Sequence, residues 1–348
     1  MANFDDMKVA VEALSGGKNT VILDDQEMPS IMVAFPKFKI SEVITGGSEN
    51  VHPAFIVGGV EKDVIYVSKF QNIVMNDRAY SLPFKDPKVD INFDTALSRC
   101  RNKGEGWGLM PYSVWSAIAL WCRKNGTMPR GNNQYGKDVT YTHEKGVQTS
   151  TDSNKTGRCA TGSGPATWNH NWLPDGIADL NGNVSEWTAG FRSVDGELQI
   201  IPYANCMQSS VSMASESTEW KAIAKDGSLV APKSANTLKW GVNSGNIQLT
   251  TGTVTVEDKW NWLGYNNMAL GSDITAVPEL AKALLLYPDN PNGDYGGDNH
   301  GINTSGERLA YCGGNWSIGS TAGVFGVHLH NPRSNSYWSL GFRSAFVN

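Results

Sequence analysis

Paired cysteines are missing from this chain of 348 residues. The five present, Cys100, Cys122, Cys159, Cys206 and Cys312, are odd in number and widely spaced, and no CxxC occurs. That pattern indicates neither a disulfide framework nor a zinc site, and it fits folding in a reducing cytoplasm. The opening residues, Met1-Ala2-Asn3-Phe4-Asp5-Asp6, lack the basic and apolar regions of a signal peptide. The sequons Asn125-Gly126-Thr127 and Asn183-Val184-Ser185 therefore carry no meaning. No apolar run approaches membrane-span length, so no membrane insertion is expected. Charge is sparse too, at 18% of residues and a net −5 with Lys and Arg dispersed. That leaves no electrostatic footprint for nucleic acid.

Glycine and tryptophan are abundant, with 37 and 12 residues respectively. They point to an irregular, loop-rich fold held by aromatic packing, and not to a helical bundle. Asp5-Asp6 can cap a helix in which Met7, Ala10, Val11 and Leu14 share a face and Gly16-Gly17 is the stop. Thr20 to Leu23 and Ser30 to Lys39 read as strands, the second interrupted at Pro36. Residues 1–47 carry no chemistry and are assigned to a small assembly or attachment segment. Strands at Ala54 to Val57 and Val64 to Phe70 follow. Two helices come next, from about Asn92 to Lys103 and from Ser113 to Lys124. The second is apolar on most faces, so burial is predicted for it. Arg130 to His170 is a long polar connection. Asn181-Gly182-Asn183 then turns the chain into a strand at Val184 to Trp187. Residues 191–303 read as an inserted elaboration, with strand-like runs at Leu198 to Pro202 and Ile247 to Val256 and a short helix at Pro278 to Leu286.

The last forty residues differ in character. Between Leu309 and Leu340 the only formal charge is Arg333, and the rest is Ser, Gly, Asn, Thr, His, Tyr and small apolar residues. Such a composition gives amphipathic contact area together with adaptable hydrogen bonding, as in a paratope. Its two ends read as scaffold, with Trp316, Phe342, Phe346 and Val347 as core candidates and Gly313-Gly314 and Gly341 suited to tight backbone.

Four motifs in order then suggest a family. Asp179 to Thr188 contains Gly182-Asn183-Val184-Ser185-Glu186-Trp187 and resembles the GNV-x-EW run of the formylglycine-generating-enzyme branch of the C-type lectin fold. Leu109 to Trp115, Arg308 to Trp316 and Gly341-Phe342-Arg343 resemble its helix start, its RV-x-RGG-x-W strand and its closing GFR. The match covers residues 50 to 348, apart from the insertion. It implies an α+β C-type lectin fold over 48–348, with the small N-terminal segment before it. The enzymes of that branch use two cysteines after the RGG-x-W strand to hold copper, a soft metal suited to thiolates. Here Ser317-Ile318-Gly319-Ser320-Thr321 stands there and no cysteine follows Cys312. The oxidase is therefore the disfavoured alternative, and no enzyme is expected. His328 and His330 alternate on one strand face, but two imidazoles lack a third metal ligand.

The C-terminus also resembles the variable proteins of diversity-generating retroelements, which carry this lectin fold and mutate their final segment at adenines. Ala322 to Phe325, Arg333 to Ser336 and Leu340 to Arg343 are similar to the fixed framework of such segments. Randomising the first two bases of an Asn codon cannot give Lys, Glu, Gln, Met or Trp, and none of these appears from Ser317 to Tyr337. Trp338 is the exception and is assigned as fixed or not of adenine origin. The resemblance implies a variable region at 307–348 with ligand-binding positions Tyr311, Asn315, Ser317, Ile318, Thr321, Gly326, His328, His330, Tyr337 and Ser339. The implied partner is a protein or glycan ligand on a cell surface, met from a phage tail or in bacterial display, and the trimeric phage relatives imply a homotrimer. A structural virion protein without a ligand is a further alternative.

No cofactor is expected. Asp289 to Asn299 offers many oxygen atoms for a structural calcium ion but lacks EF-hand spacing, so a turn-rich loop is the preferred reading. Glu186 is read as an anchor of scaffold hydrogen bonds in preference to a general acid. If the variable positions lie on a solvent face, changing Ser317, His328, His330 and Tyr337 together to Ala should leave the fold intact. The thermal midpoint would then shift by no more than roughly 5 °C.

Overall fold

The computed structural model describes residues 4–348; residues 1–3 of the expected N-terminal segment lie outside the described residues. Helix α1 spans Phe4–Ser15. It begins one residue before the expected cap, so Asp5 and Asp6 occupy its first turn, where the helix dipole favours negative charge. Met7 and Val11 pack on Val21, Ile31, Phe70 and Ala178. The helix ends at Gly16 and Gly17, both left-handed, with the Gly17 N–H donating to the Glu12 carbonyl at 2.8 Å.

Two sheets follow. The first contains β1 (Asn19–Leu23), β2 (Pro29–Pro36), β3 (Val64–Ser68) and β4 (Trp107–Leu109), together with the last strand of the chain, Ser344–Phe346. That last strand lies between β3 and β4, so the spatial order is β1, β2, β3, Ser344–Phe346, β4. Residues 19–36 thus hydrogen-bond into the sheet that holds the C-terminus. The expected boundary at residue 47 falls in the connection between β2 and β3, two strands of this same sheet. The pairing β2–β3, from Met32 opposite Ser68 to Pro36 opposite Val64, ties that segment in.

Two longer helices separate the strands. Helix α2 is Phe93–Arg101, capped by the Asn92 side chain, which accepts from the Thr95 N–H at 2.9 Å. Helix α3 is Tyr112–Asn125 and stops at Gly126, which is left-handed. As predicted, α3 is buried on most faces. Val114 and Ile118 cluster with Phe35 and Val67 of the first sheet and with Leu198, Trp240, Val327 and Leu329 of the second.

The second sheet is large. Its strands are β5 (Ser185–Val194), β6 (Glu197–Ile200), β7 (Lys239–Asn243), β8 (Asn246–Thr250), β9 (Asn261–Gly264), β10 (Asn299–Ile302), β11 (Glu307–Cys312), β12 (Val327–Leu329) and β13 (Leu340–Phe342), with short pieces at its margin. The main path runs β9, β10, β12, β11, β5, β6, β7, β8, and β13 lies parallel to the start of β5. The fold is mixed α and β, dominated by sheet with few helices. Strands from residues 191–303 join the large sheet. They place β6 to β8 on one side of β5 and β9 and β10 on the other, against β12.

Alternation along β11 decides what each face meets. Ala310 and Cys312 point to the core around α3, while Leu309 and Tyr311 point to Trp187, Phe342 and α2. Trp187 sits edge-on to Phe93 at 6.0 Å and donates its indole N–H to the Ile91 carbonyl at 3.0 Å.

One ion pair joins the two sheets. Arg343, with 0% exposure, forks onto Glu186 with Nε–Oε2 at 2.5 Å and Nη2–Oε1 at 2.6 Å. Its remaining donors reach the Ser68 and Ala178 carbonyls at 3.1 and 2.9 Å. Gln71 donates to Glu186 Oε1 at 3.0 Å and accepts from Asn183 at 2.8 Å. Glu186 therefore holds scaffold hydrogen bonds. Replacing it by Gln keeps the shape but removes the charge facing a buried guanidinium. Stability should fall by about 3–5 kcal/mol, measured by urea unfolding; a loss under about 1 kcal/mol would contradict the role given to the pair.

Candidate functional site

The site is built from two turns. The first follows β11. Gly313 and Gly314 both have positive φ, and a Cβ at Gly313 would stand 2.9 Å from the Leu180 carbonyl, so glycine is required there. The Gly313 N–H donates to the Gly326 carbonyl at 3.0 Å. Asn315 Oδ1 then accepts from both the N–H and the hydroxyl of Ser317 at 2.9 Å, a side-chain-closed turn. Between them Trp316 turns inward, fully buried. Its indole donates to Asp152 at 3.1 Å and its carbonyl accepts from Tyr135 at 2.7 Å. Ser317 is exposed, and Asn315, Ile318 and Thr321 are half-buried.

The second turn precedes β13. Arg333 pins its start, donating to Glu307 at 2.7 and 2.9 Å and to Asp94 at 2.8 Å. The Tyr337 carbonyl accepts from Asp90 at 2.9 Å, and the Ser339 carbonyl accepts from Ser185 at 2.9 Å. The side chains of Tyr337 and Ser339 are half-buried, and Trp338 is exposed. Trp338 meets Trp316 edge to face at 4.6 Å, which brings the two turns together. Fixed backbone with outward side chains is what a binding surface requires.

Three expected surface positions are corrected. Gly326 is buried, its N–H donates to the Gly323 carbonyl at 2.9 Å, and a Cβ there would meet that oxygen at 2.9 Å. His328 and His330 are 3% and 0% exposed. They do alternate with Val327 and Leu329, but their face is covered by the insertion. Opposite residues across the sheet form one row, Trp262, Gly301, His328, Tyr311 and Trp187. Trp262 lies 4.0 Å from the His330 ring and 5.0 Å from that of His328, and Trp260 stacks on His330 at 5.0 Å and 10°. A Cβ on Gly301 would sit 2.4 Å from His330 and 2.7 Å from His328, so its absence makes room for both rings. Tyr311, half-buried, stacks on His328 at 5.3 Å. Removing two buried rings makes the fourfold alanine change destabilising, by roughly 2–4 kcal/mol for each ring.

Burial sets the electrostatics of this face. Burial holds His328 well below the usual imidazole range and His330 down to about 4, so both rings are neutral. His328 Nδ1 has no partner among the described residues. Cys312 is buried, and burial pushes its thiol well above the ordinary value. Among the described residues no three His, Cys, Asp or Glu side chains gather where a metal ion could be held. In the oxygen-rich loop, Asp289 pairs with Arg123, Asp294 accepts from the Gly296 N–H, and Asp298 accepts from the Phe325 N–H. The three carboxylates have separate partners. Among the described residues no helix is long and apolar enough to cross a membrane.

Trp260, Trp262 and Trp338 are three exposed aromatics that sequence reasoning did not assign to the site. Trp260-Asn261-Trp262 carries the period-two signal of a strand face, but nothing in it shows that the strand pairs near His330.

No protein-family model matches the sequence, and no curated protein matches it. Among solved structures, the chain is similar to the P3c, U1 and M1 variants of Major Tropism Determinant. The identities are 10%, 10% and 11%, with TM-scores of 0.32, 0.32 and 0.31. Each alignment covers 94% of this chain and 71% of the other. A likeness this slight carries no argument about either fold or function.

Buried imidazoles set a pH dependence. His300 is held neutral by burial, down to about 3, with both ring nitrogens unpartnered among the described residues, beside Trp240 and Tyr265. An unfolded imidazole protonates near 6.5. Between that value and about 3 the unfolded chain binds the extra proton, so stability falls as pH falls. Each such histidine contributes a slope of up to about 1.4 kcal/mol per pH unit. Asp179, raised to about 6 by burial, gives the opposite slope between its unfolded value and 6. The His300→Phe variant isolates one contribution. Its thermal midpoint should decline less than wild type between pH 7 and pH 5, and equal declines would contradict the assignment.

Proposed function

We propose that this chain is a ligand-binding protein of the receptor-recognition type. Its turns at 315–321 and 337–339 present a changeable surface on a fixed frame. The observation that carries this reading is the division of labour within the C-terminal segment. Trp316 and Phe325 are buried in the core, Leu340 and Phe342 are buried in the strand pairing of the large sheet, and Arg343 bonds Glu186 and the Ser68 carbonyl. Ser317, Ile318, Thr321 and Ser339 instead lie on turns whose backbone is held by other residues, and Tyr337 on the second turn rests one side against the Trp187 and Phe342 cluster. Side chains at Ser317, Ile318, Thr321 and Ser339 can change with little effect on the core.

The resemblance to retroelement variable proteins supplies the source of change, mutation at adenines, and the codon-compatible run from Ser317 to Tyr337 supports it. The resemblance extends to presentation on a phage tail or in bacterial display, to a homotrimeric assembly, and to a surface protein or glycan as partner. We assign no catalytic step, since no cysteine follows the buried Cys312.

The test is binding to whole bacterial cells by the purified chain and by two variants, Ser317→Tyr with Thr321→Tyr, and Tyr337→Ala with Ser339→Ala. Cell attachment should fall by at least about tenfold or change its target strain, while the thermal midpoint moves by no more than roughly 5 °C. Unchanged attachment by both variants would overturn the assignment of these turns.

A further inference from the structure

The insertion brings its own aromatic surface to the margin of the sheet. Trp260 is 50% and Trp262 44% exposed, and their rings meet edge to face at 6.1 Å and 78°. One face of Trp260 lies flat on the buried His330 ring, which leaves the other as a plate fixed in orientation. Trp262 stands beside it as a wall. Its strand β9 is the outermost of the sheet path, so among the described residues no further strand pairs with its outer edge.

A hydrogen-bonding group is tied to the same region through Arg308. Asp258 Oδ1 accepts from Asn303 at 2.7 Å and from Arg308 at 3.1 Å. Arg308 also donates to the His330 carbonyl at 3.0 Å. The residue that bears the stacked ring and the carboxylate two residues before Trp260 thus share one guanidinium. The Asp258 side chain remains mostly open to solvent. An aromatic plate, a perpendicular wall and a pre-oriented ionised acceptor together recognise a ligand with one apolar flat face and a rim of hydroxyls.

We propose that Trp260, Trp262 and Asp258 form a saccharide-binding subsite, in which a pyranose ring stacks its C–H face on Trp260 and donates hydroxyl hydrogen bonds to Asp258. The inference rests on the reading of the chain as a ligand-binding protein and adds the ligand's class; it does not depend on diversification. Size separates this from a protein partner. A stable protein interface needs about 800 Å² from each side, whereas two half-exposed indoles offer roughly 200 Å², the scale of one or two sugar rings. Charge separates it from single-stranded nucleic acid, which also stacks on aromatics but requires a basic groove. Here the fixed group is a carboxylate and the chain carries net charge −5.

The experiment is calorimetry and tryptophan fluorescence on the full chain, against an array of neutral gluco-, manno-, galacto- and N-acetylhexosamine oligosaccharides. At least one should bind and perturb indole emission. Trp260→Ala should weaken that binding by about tenfold or more, Trp260→Phe should retain most of it, and Asp258→Asn should weaken it by about three- to tenfold. Val60→Ala, at an exposed position outside both surfaces, should leave it unchanged. The proposal is overturned if no saccharide on the array binds at millimolar concentration, or if Trp260→Ala binds as wild type does. It is also overturned if the plate instead mediates self-association, seen as a change in oligomeric mass in Trp260→Ala. Attachment to cells that survives periodate removal of their glycans would leave receptor recognition standing and remove the saccharide class alone. Attachment to no cell at all would remove the broader reading.

Discussion

The buried pair between Arg343 and Glu186 is the constraint on which the rest of the structure depends. A guanidinium without solvent needs an anion and a full set of acceptors. Meeting that need brings together the start of β5, the end of β3 through the Ser68 carbonyl, and the Ala178 carbonyl just before the Asn181-Gly182-Asn183 turn. The same turn is held from the other side by Gln71 and by the Cys159 N–H, which donates to Asn183 at 2.7 Å. Because Arg343 lies between β13 in the large sheet and the last strand in the small one, the pair fixes how the two sheets meet over α3.

That constraint frees the turns. With Leu340 to Phe346 held by strand pairing and the ion pair, and Trp316 held by Asp152 and Tyr135, the chain between them need not contribute to the core at Ser317 or Ser339. The middle of the segment is different. Residues 322–331 are buried, and Trp260 and Trp262 cover one face of β12, which is thereby an interior of stacked rings. The insertion thereby does two things. It turns two histidines from surface into packing, and it exposes two tryptophans where the histidines would have been.

Much of the frame was legible in the sequence because it is local. Helices α2 and α3 follow from the spacing of Phe93, Ala96 and Cys100 and from the apolar run of Val114 to Cys122. Gly126 and Asn92 mark their ends. The turn before β5 follows from Asn-Gly-Asn, and the match to GNV-x-EW and GFR brought Glu186 and Arg343 into view as scaffold. Non-local pairing was illegible. Period-two alternation at Gly326, His328 and His330 shows that two faces exist, but which one meets water depends on Asn261–Gly264 and Asn299–Ile302, supplied from earlier in the chain. The pairing of β2 with β3 across residue 47 likewise leaves no compositional mark. Gly301 left no signal either, because a glycine that makes room for a neighbouring strand's rings looks like any other.

The central claim is that change in this chain is confined to the two turns while the frame stays fixed, and deep sequencing of the locus across a population of its source organism tests it most directly. The account predicts substitutions concentrated at Asn315, Ser317, Ile318, Thr321, Tyr337 and Ser339, traceable to adenines in a nearby template repeat, with Trp316, Gly326, Phe342 and Arg343 constant. A C-terminus as uniform as the rest of the chain, or substitutions falling equally on the buried frame, would contradict it.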